Sequence, residues 1–290
     1  MIRDTAAAEL GEAAQPLAWE DLGSRPAGAA FRQSMAELLA HPARFFRRMA
    51  TTGGLHEPLA FFAFTFTAAL LVAFPAALSY FGVAAPDPER TAQQVYSLYV
   101  VPARITGLLV ALLPLAVVAA CTLMVLLGGL FHAAARPFGA RNWEGSVSAW
   151  LYAGSAALSP SVLSLAAVLI VALGGYLIGL LWPGAKDTAA AFARWTLLVL
   201  GSAGLLAGLI LLVMDAMVGC TQAFRLDAML GAAAGVSGLL LVGVAVGLST
   251  WSFASWGLAG GLIVTGAWLL TATAVAVACR AAAVRTEGKA

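Results

Sequence analysis

The sequence predicts an all-α, polytopic transmembrane helix bundle of about six spans, preceded by an N-terminal amphipathic interfacial segment. Three observations carry that expectation. Of 290 residues, 61% are hydrophobic and only 10% charged, against about a quarter charged in an average soluble domain. Apolar runs recur that are long enough to cross a bilayer, each needing roughly 20 residues at about 1.5 Å of rise. The basic residues gather at alternate ends of those runs. A soluble fold of this length could not hide so much apolar surface, whereas lipid tails solvate it. The net charge of +2 is too small to point to a nucleic acid.

Residues 1–27 are rich in Ala, Glu, Gly and Pro without a sustained apolar period, and are expected to form a flexible tail. The apolar stretch of a signal peptide belongs in the first 30 or so residues. Here the first apolar run starts near Glu57, so the N-terminal segment is expected to stay in the chain.

Residues 28–56 form a juxtamembrane segment. Phe31, Met35, Leu38 and Leu39 recur at helical spacing, with Arg32 and Glu37 between them. Pro42 interrupts the pattern, and Phe45, Phe46 and Met49 then lie beside Arg44, Arg47 and Arg48. An apolar face beside arginines suits a helix lying on a membrane surface, apolar side down. The alternative is a short helix packed on the rest of the protein. The surface reading is the expectation, with Arg44, Phe45, Phe46, Arg47 and Arg48 as membrane-surface residues. Residues 51–54, Thr-Thr-Gly-Gly, read as a hinge into the membrane.

The expected spans are 58–81, 105–132, 147–182, 195–218, 228–248 and 256–279. Trp182, Trp195, Trp251 and Trp256 fall at segment ends, where indole rings favour the lipid–water interface. The third run is too long for one straight span and contains Ser159-Pro160-Ser161. It is either one kinked helix or two short spans. With six spans and the N-terminus inside, twelve of the sixteen Lys and Arg residues lie inside and four (Arg90, Arg104, Lys186, Arg194) outside. Seven spans reduce this to ten against six, so the positive-inside rule prefers six. Residues 57–248 then form the main transmembrane domain, 249–283 an additional helix and 284–290 a cytoplasmic tail. Both termini are expected on the cytoplasmic side. The Ala/Gly/Arg bias points to a bacterial inner membrane.

Ionisable residues inside a membrane are the default place to seek function. Asp215, about one turn before the inner end of the fourth span, either binds a proton or cation or reaches water or Arg225 at interfacial depth; the second is the expectation. Tyr152, Ser155, Ser159, Pro160 and Asp215 are the candidate polar intramembrane residues, with Thr106 a further position that a hydrated cavity would use. His132, His56 and Glu57 have no metal-site spacing. No HExxH, GxSxG or phosphate-binding glycine loop is present. No catalytic residue, cofactor or metal is expected. Cys121, Cys220 and Cys279 lack any paired spacing and read as core or lipid-facing residues. Gly-xxx-Gly pairs at 175/179, 204/208, 231/235, 243/247 and 257/261 read as close helix contacts within the bundle.

Residues 41–64, HPARFFRRMATTGGLHEPLAFFAF, resemble the lead-in to the first span of bacterial Yip-family proteins (named for Ypt/Rab-interacting proteins). Residues 141–160, RNWEGSVSAWLYAGSAALSP, are similar to that family's approach to its third span. Residues 219–235, GCTQAFRLDAMLGAAAG, are like its loop between the fourth and fifth spans. The resemblance covers roughly residues 41–248 and rests on the order and spacing of these stretches. The eukaryotic Asp-Leu-Tyr-Gly-Pro signature is absent, which argues against a Rab-type partner. The family domain usually has five spans, so the sixth here is a departure. The resemblance implies an integral membrane scaffold or lipid-related factor, not an enzyme, and carries over no catalytic residue. The expected function is therefore membrane organisation or partner binding, with transport of a small solute or lipid as the alternative. The expected partners are the lipid bilayer and other membrane proteins or a second copy.

Overall fold

A computed structural model describes residues 16–21, 26–83, 88–140, 142–182, 184 and 186–287. Within them, the side chains at 74–83 and 88–110, at many positions between 172 and 197 and at most positions beyond 255, lie outside the description. The structure is 88% helical, with no strand among the described residues.

Among the described residues two short helices come first, α1 (Ala27–Ala40) and α2 (Pro42–Arg48). Pro42 has no N–H with which to continue α1, but its fixed φ suits the first turn of a new helix. The chain therefore breaks at His41 and restarts. Gly53 and Gly54 follow at φ 118° and 100°, a region that L side chains avoid. The hinge expected at 51–54 is thus a real turn, and it is pinned. The Gly54 N–H donates to Glu144 Oε2 at 3.3 Å, and Asn142 Nδ2 donates to Thr51 O.

Among the described residues five long helices follow: α3 (His56–Val83), α4 (Pro88–Ala135), α5 (Trp143–Leu181), α6 (Lys186–Ala223) and α7 (Ala228–Glu287), with a 3-10 turn at Arg136–Phe138 between α4 and α5. Five stretches among the described residues are long and apolar enough to cross a membrane. They are His56–Ala73, Ala111–Phe138, Trp143–Val171, Leu198–Ala223 and Ala228–Ser252. Leu163 and Ile170 on α5 and Leu205 on α6 stand about 70% exposed. Water penalises such apolar surface and lipid does not. The chain is an all-α polytopic membrane bundle, and these stretches overlap the first five expected spans.

The ambiguous third run is one continuous helix of 39 residues through Pro160. Asn142 caps its start, its Oδ1 accepting from the N–H groups of Glu144 and Gly145 at 3.0 and 3.4 Å. The sixth expected span begins where α7 is interrupted. Gly257 has φ 69° and ψ −165°, so the helix stops there and resumes to Glu287.

The chain divides into two compact units. One comprises residues up to Phe62 together with Cys121–Ala156 and Leu211–Ala290; the other comprises Ala63–Ala120 and Ala157–Ile210. In the first unit, Gly231 lies against Thr221, Gly235 lies against the Met217 backbone and Gly238 lies against the Phe131 ring. In the second, Gly204 abuts Ser164 and Gly208 abuts the Ala157 carbonyl. Small residues let these helices meet closely. Gly243 and Gly247, by contrast, face open space.

Two expectations about residues before the first span are corrected. Residues 16–21, assigned by sequence to a flexible tail, are packed: Leu17 is fully buried and Trp19 is 4% exposed. The remainder of the expected tail, 1–15 and 22–25, lies outside the described residues. Phe45 and Phe46, expected to face lipid, are fully buried in protein. The apolar side of α2 turns onto the bundle because aromatic partners there bury it as well as lipid would.

Candidate functional site

The candidate site is the aromatic and polar cluster around Tyr152 in the first unit. It gathers α1, α2, the start of α3, the first half of α5 and the segment 16–21. Its apolar part joins Leu17, Trp19, Leu38, Phe45, Phe61 and Tyr152 in one core. The Tyr152 ring meets Phe45 edge-on at 4.9 Å and Phe61 at 5.2 Å. Each such pair is worth about 0.5–1.5 kcal/mol beyond area burial.

The polar part is built from the residues that this core holds in place. The Tyr152 hydroxyl donates to Glu20 Oε1 at 3.3 Å. The Ala50 N–H also lies 3.3 Å from both Glu20 oxygens. Burial pushes the Glu20 carboxyl above its ordinary value, and the Glu57 carboxylate adds to the rise, while the Ala50 and Tyr152 hydrogen bonds act against it. His56 Nε2 lies 2.6 Å from Glu57 Oε1.

The three arginines of the collar separate. Arg48 turns inward, with Nη1 2.7 Å from Glu37 Oε1 and Nη2 donating to Pro16 O at 2.8 Å. Arg44 and Arg47 are exposed. Arg44 Nε stands 3.7 Å from Glu37 Oε1, and Arg47 Nε donates to Gln222 Oε1 at 3.3 Å. Only Arg44 and Arg47 of the expected membrane-surface set therefore present charge outward.

The expected intramembrane set also separates. Tyr152, Ser155 and Asp215 lie in the first unit and are fully or almost fully buried. Ser155 spends its hydroxyl on Leu151 O within its own helix. Asp215 is 1% exposed, and its Oδ2 has no hydrogen-bond partner. Of the expected reach to water or to Arg225, the reach to water is corrected by that burial. Ser159 and Pro160 belong to the second unit, where the Pro160 carbonyl faces Gly204. The Thr106 side chain lies outside the described residues.

His132 is buried and tied to the start of α5. Its Nδ1 is 2.9 Å from Ser146 Oγ, and that hydroxyl donates to Asn142 O. The chain of donors runs from ring to hydroxyl to the carbonyl at the start of α5. Among the described residues, no group of three or more His, Cys, Asp or Glu side chains is placed to hold a metal. Cys121 and Cys220 are free thiols, half-buried and buried respectively.

Leu17, Trp19 and Glu20 join the site without having been singled out by the sequence. The available signal was Leu17-Ala18-Trp19-Glu20, an aliphatic and aromatic pair in an otherwise small and polar stretch. Comparison with known proteins adds no name to this geometry: no family model, no curated protein and no solved structure matches the chain.

Proposed function

We propose that this chain is a membrane-organising or partner-binding protein of scaffold type that works without catalysis. The sealing of the first unit around the polar residues a solute would meet carries this reading. Tyr152 and Ser155 are fully buried, Asp215 is 1% exposed, and both hydroxyls are engaged inside the protein. A transport path needs ionisable or polar groups facing a water-filled cavity. A closed and largely self-satisfied set supports a static bundle instead. The likeness of residues 41–64, 141–160 and 219–235 to bacterial Yip-family proteins supports the same reading. The bilayer of a bacterial inner membrane, with both termini cytoplasmic, is the proposed setting. Other membrane proteins or a second copy are the proposed partners.

Cross-linking in native membranes followed by purification tests the proposal. Specific proteins, or a second copy, recovered in near-stoichiometric amount are expected. Recovery of this chain with lipid alone would sink it. One observation favours the second reading, a small-solute or lipid transporter: the buried Asp215 Oδ2 without a partner. Solute or lipid movement in proteoliposomes that disappears in Asp215→Asn would move the assignment to that class.

A further inference from the structure

Residues 16–21 meet the bundle through contacts of the kind that read a peptide. Leu17 is fully buried and Trp19 is 4% exposed, and both sit in the core with Leu38, Phe45, Phe61 and Tyr152. Phe31 and Phe61 take the indole edge-on at 6.0 and 5.5 Å. The polar groups are read as well. The Trp19 backbone N–H donates to Ser34 Oγ at 3.0 Å, and its indole N–H donates to Glu57 O at 2.8 Å. Glu20 accepts from the Ala50 N–H and the Tyr152 hydroxyl. The segment also closes its own turn, with the N–H groups of Glu20 and Asp21 donating to Leu17 O at 3.0 and 3.1 Å. It is a compact piece separate from α1, which begins only at Ala27.

We propose that the pocket formed by α1, α2, α3 and α5 is a peptide-recognition site, and that Leu17–Glu20 is its tethered ligand. The ligand class is an aliphatic residue, a spacer, a tryptophan and then a side chain whose oxygen accepts hydrogen bonds. The tryptophan position is the most demanding, because it combines two aromatic walls with a directed acceptor for the indole N–H. The fourth position needs an acceptor, which Glu and Gln both supply. The use of the site rests on the partner-binding reading: a partner presenting this chemistry competes with the chain's own segment, and a tethered competitor acts at high effective concentration.

The test uses the full chain in nanodiscs and a fluorescent hexapeptide, Pro-Leu-Ala-Trp-Glu-Asp, matching residues 16–21. Fluorescence anisotropy compares the wild type with a Leu17→Ser/Trp19→Ser variant, whose own segment no longer fits. The variant is expected to bind the peptide at least about tenfold more tightly than the wild type, whose pocket is filled. The Trp19→Ala peptide should bind neither protein. Equal binding by the two proteins, or binding indifferent to the tryptophan, overturns the proposal. A second arm keeps the wild-type segment and introduces a protease site between residues 22 and 25. After cleavage, excess hexapeptide should chase off the N-terminal fragment, and the Trp19→Ala peptide should not. A fragment that resists displacement while the bundle stays folded overturns the proposal even if the double variant does not fold. Peptide binding without any partner in the cross-linking experiment would retain the site and sink the partner-binding reading.

Discussion

The Tyr152 hydroxyl donates to Glu20 Oε1 at 3.3 Å, joining two residues 132 positions apart. The bond links the first part of a membrane-spanning helix to a short segment that precedes all of the spans. It does so inside a ring of aromatic contacts from α2 and α3. The phenol thus has two separable jobs, ring packing and hydrogen bonding.

Tyr152→Phe separates them. The ring keeps its contacts with Phe45 and Phe61, while Glu20 loses a donor. A hydrogen bond to a charged group is worth about 1.5–3 kcal/mol net, and the long 3.3 Å separation places this one at the low end. Tyr152→Ala removes the ring as well and should cost about 3–5 kcal/mol, as other buried aromatic truncations do. Denaturant unfolding in detergent micelles reads both. Equal losses in the two variants would mean that the ring contributes nothing beyond the hydroxyl.

The collar arginines should differ although the sequence presents them as one cluster. Arg48 and Glu37 side chains are each 12% exposed and lie 2.7 Å apart. Arg48→Ala leaves Glu37 without its short partner and Pro16 O without its donor, a loss of about 2–3 kcal/mol for a charge-assisted pair. Arg44 is 48% exposed at 3.7 Å from the same carboxylate, and exposed pairs contribute about 0–1 kcal/mol. Thermal melts of the two alanine variants should therefore separate. A larger loss for Arg44→Ala would contradict the assignment of the inward-facing role to Arg48.

Apolar runs and breakers are local properties, so most of the fold was legible in the sequence. The hinge at Gly53-Gly54, the restart at Pro42 and the break beside Trp256 all follow from backbone chemistry that one residue type dictates. The direction of an amphipathic face does not follow in the same way. Phe45 and Phe46 are equally well removed from water by lipid or by Tyr152 and Phe61, and only tertiary structure chooses. Glu20 was illegible for a related reason. Its donors, the Ala50 N–H and the Tyr152 hydroxyl, come from distant points of the chain, and four residues are too few to show a period. Tyr152 and Asp215 stood out because polar groups are rare within apolar runs, but rarity does not reveal whether a group faces water.

The glycine pairs give a prediction in which one substitution has opposite signs. A Cβ on Gly235 would stand 2.8 Å from Met217 Cα and 2.9 Å from its backbone nitrogen. Backbone cannot move aside as a flexible side chain can, so Gly235→Ala should cost about 1–3 kcal/mol through overpacking. Nothing lies within 4 Å of a Cβ on Gly243 or Gly247. Alanine at these two should be neutral or should gain up to about 1 kcal/mol from helix propensity. Melting temperatures in one detergent would show this ordering. Losses at 243 or 247 as large as at 235 would reveal a contact there, such as a second copy.

Glu20 should make the protein's stability depend on pH in a definite direction. Burial raises its carboxyl above the ordinary 4.5, so the folded state holds the proton more tightly than the unfolded state. The corresponding stabilisation is fully present below about pH 4.5 and is lost as pH rises through the raised value. The charged and titratable groups nearby are Asp21 on the same segment, Glu57 and His56 on α3, Tyr152 on α5, and the Arg48–Glu37 pair on α2 and α1. Glu57 adds to the rise at Glu20, and His56 Nε2 lies 2.6 Å from Glu57 Oε1. Glu20→Gln keeps an acceptor for Ala50 and Tyr152 without a charge to bury. The difference in unfolding free energy, variant minus wild type, should therefore grow as pH rises above 4.5 and then level off. A difference that stays flat across the series, or shrinks as pH rises, would mean that the Glu20 carboxylate is not held in the buried position beside Tyr152.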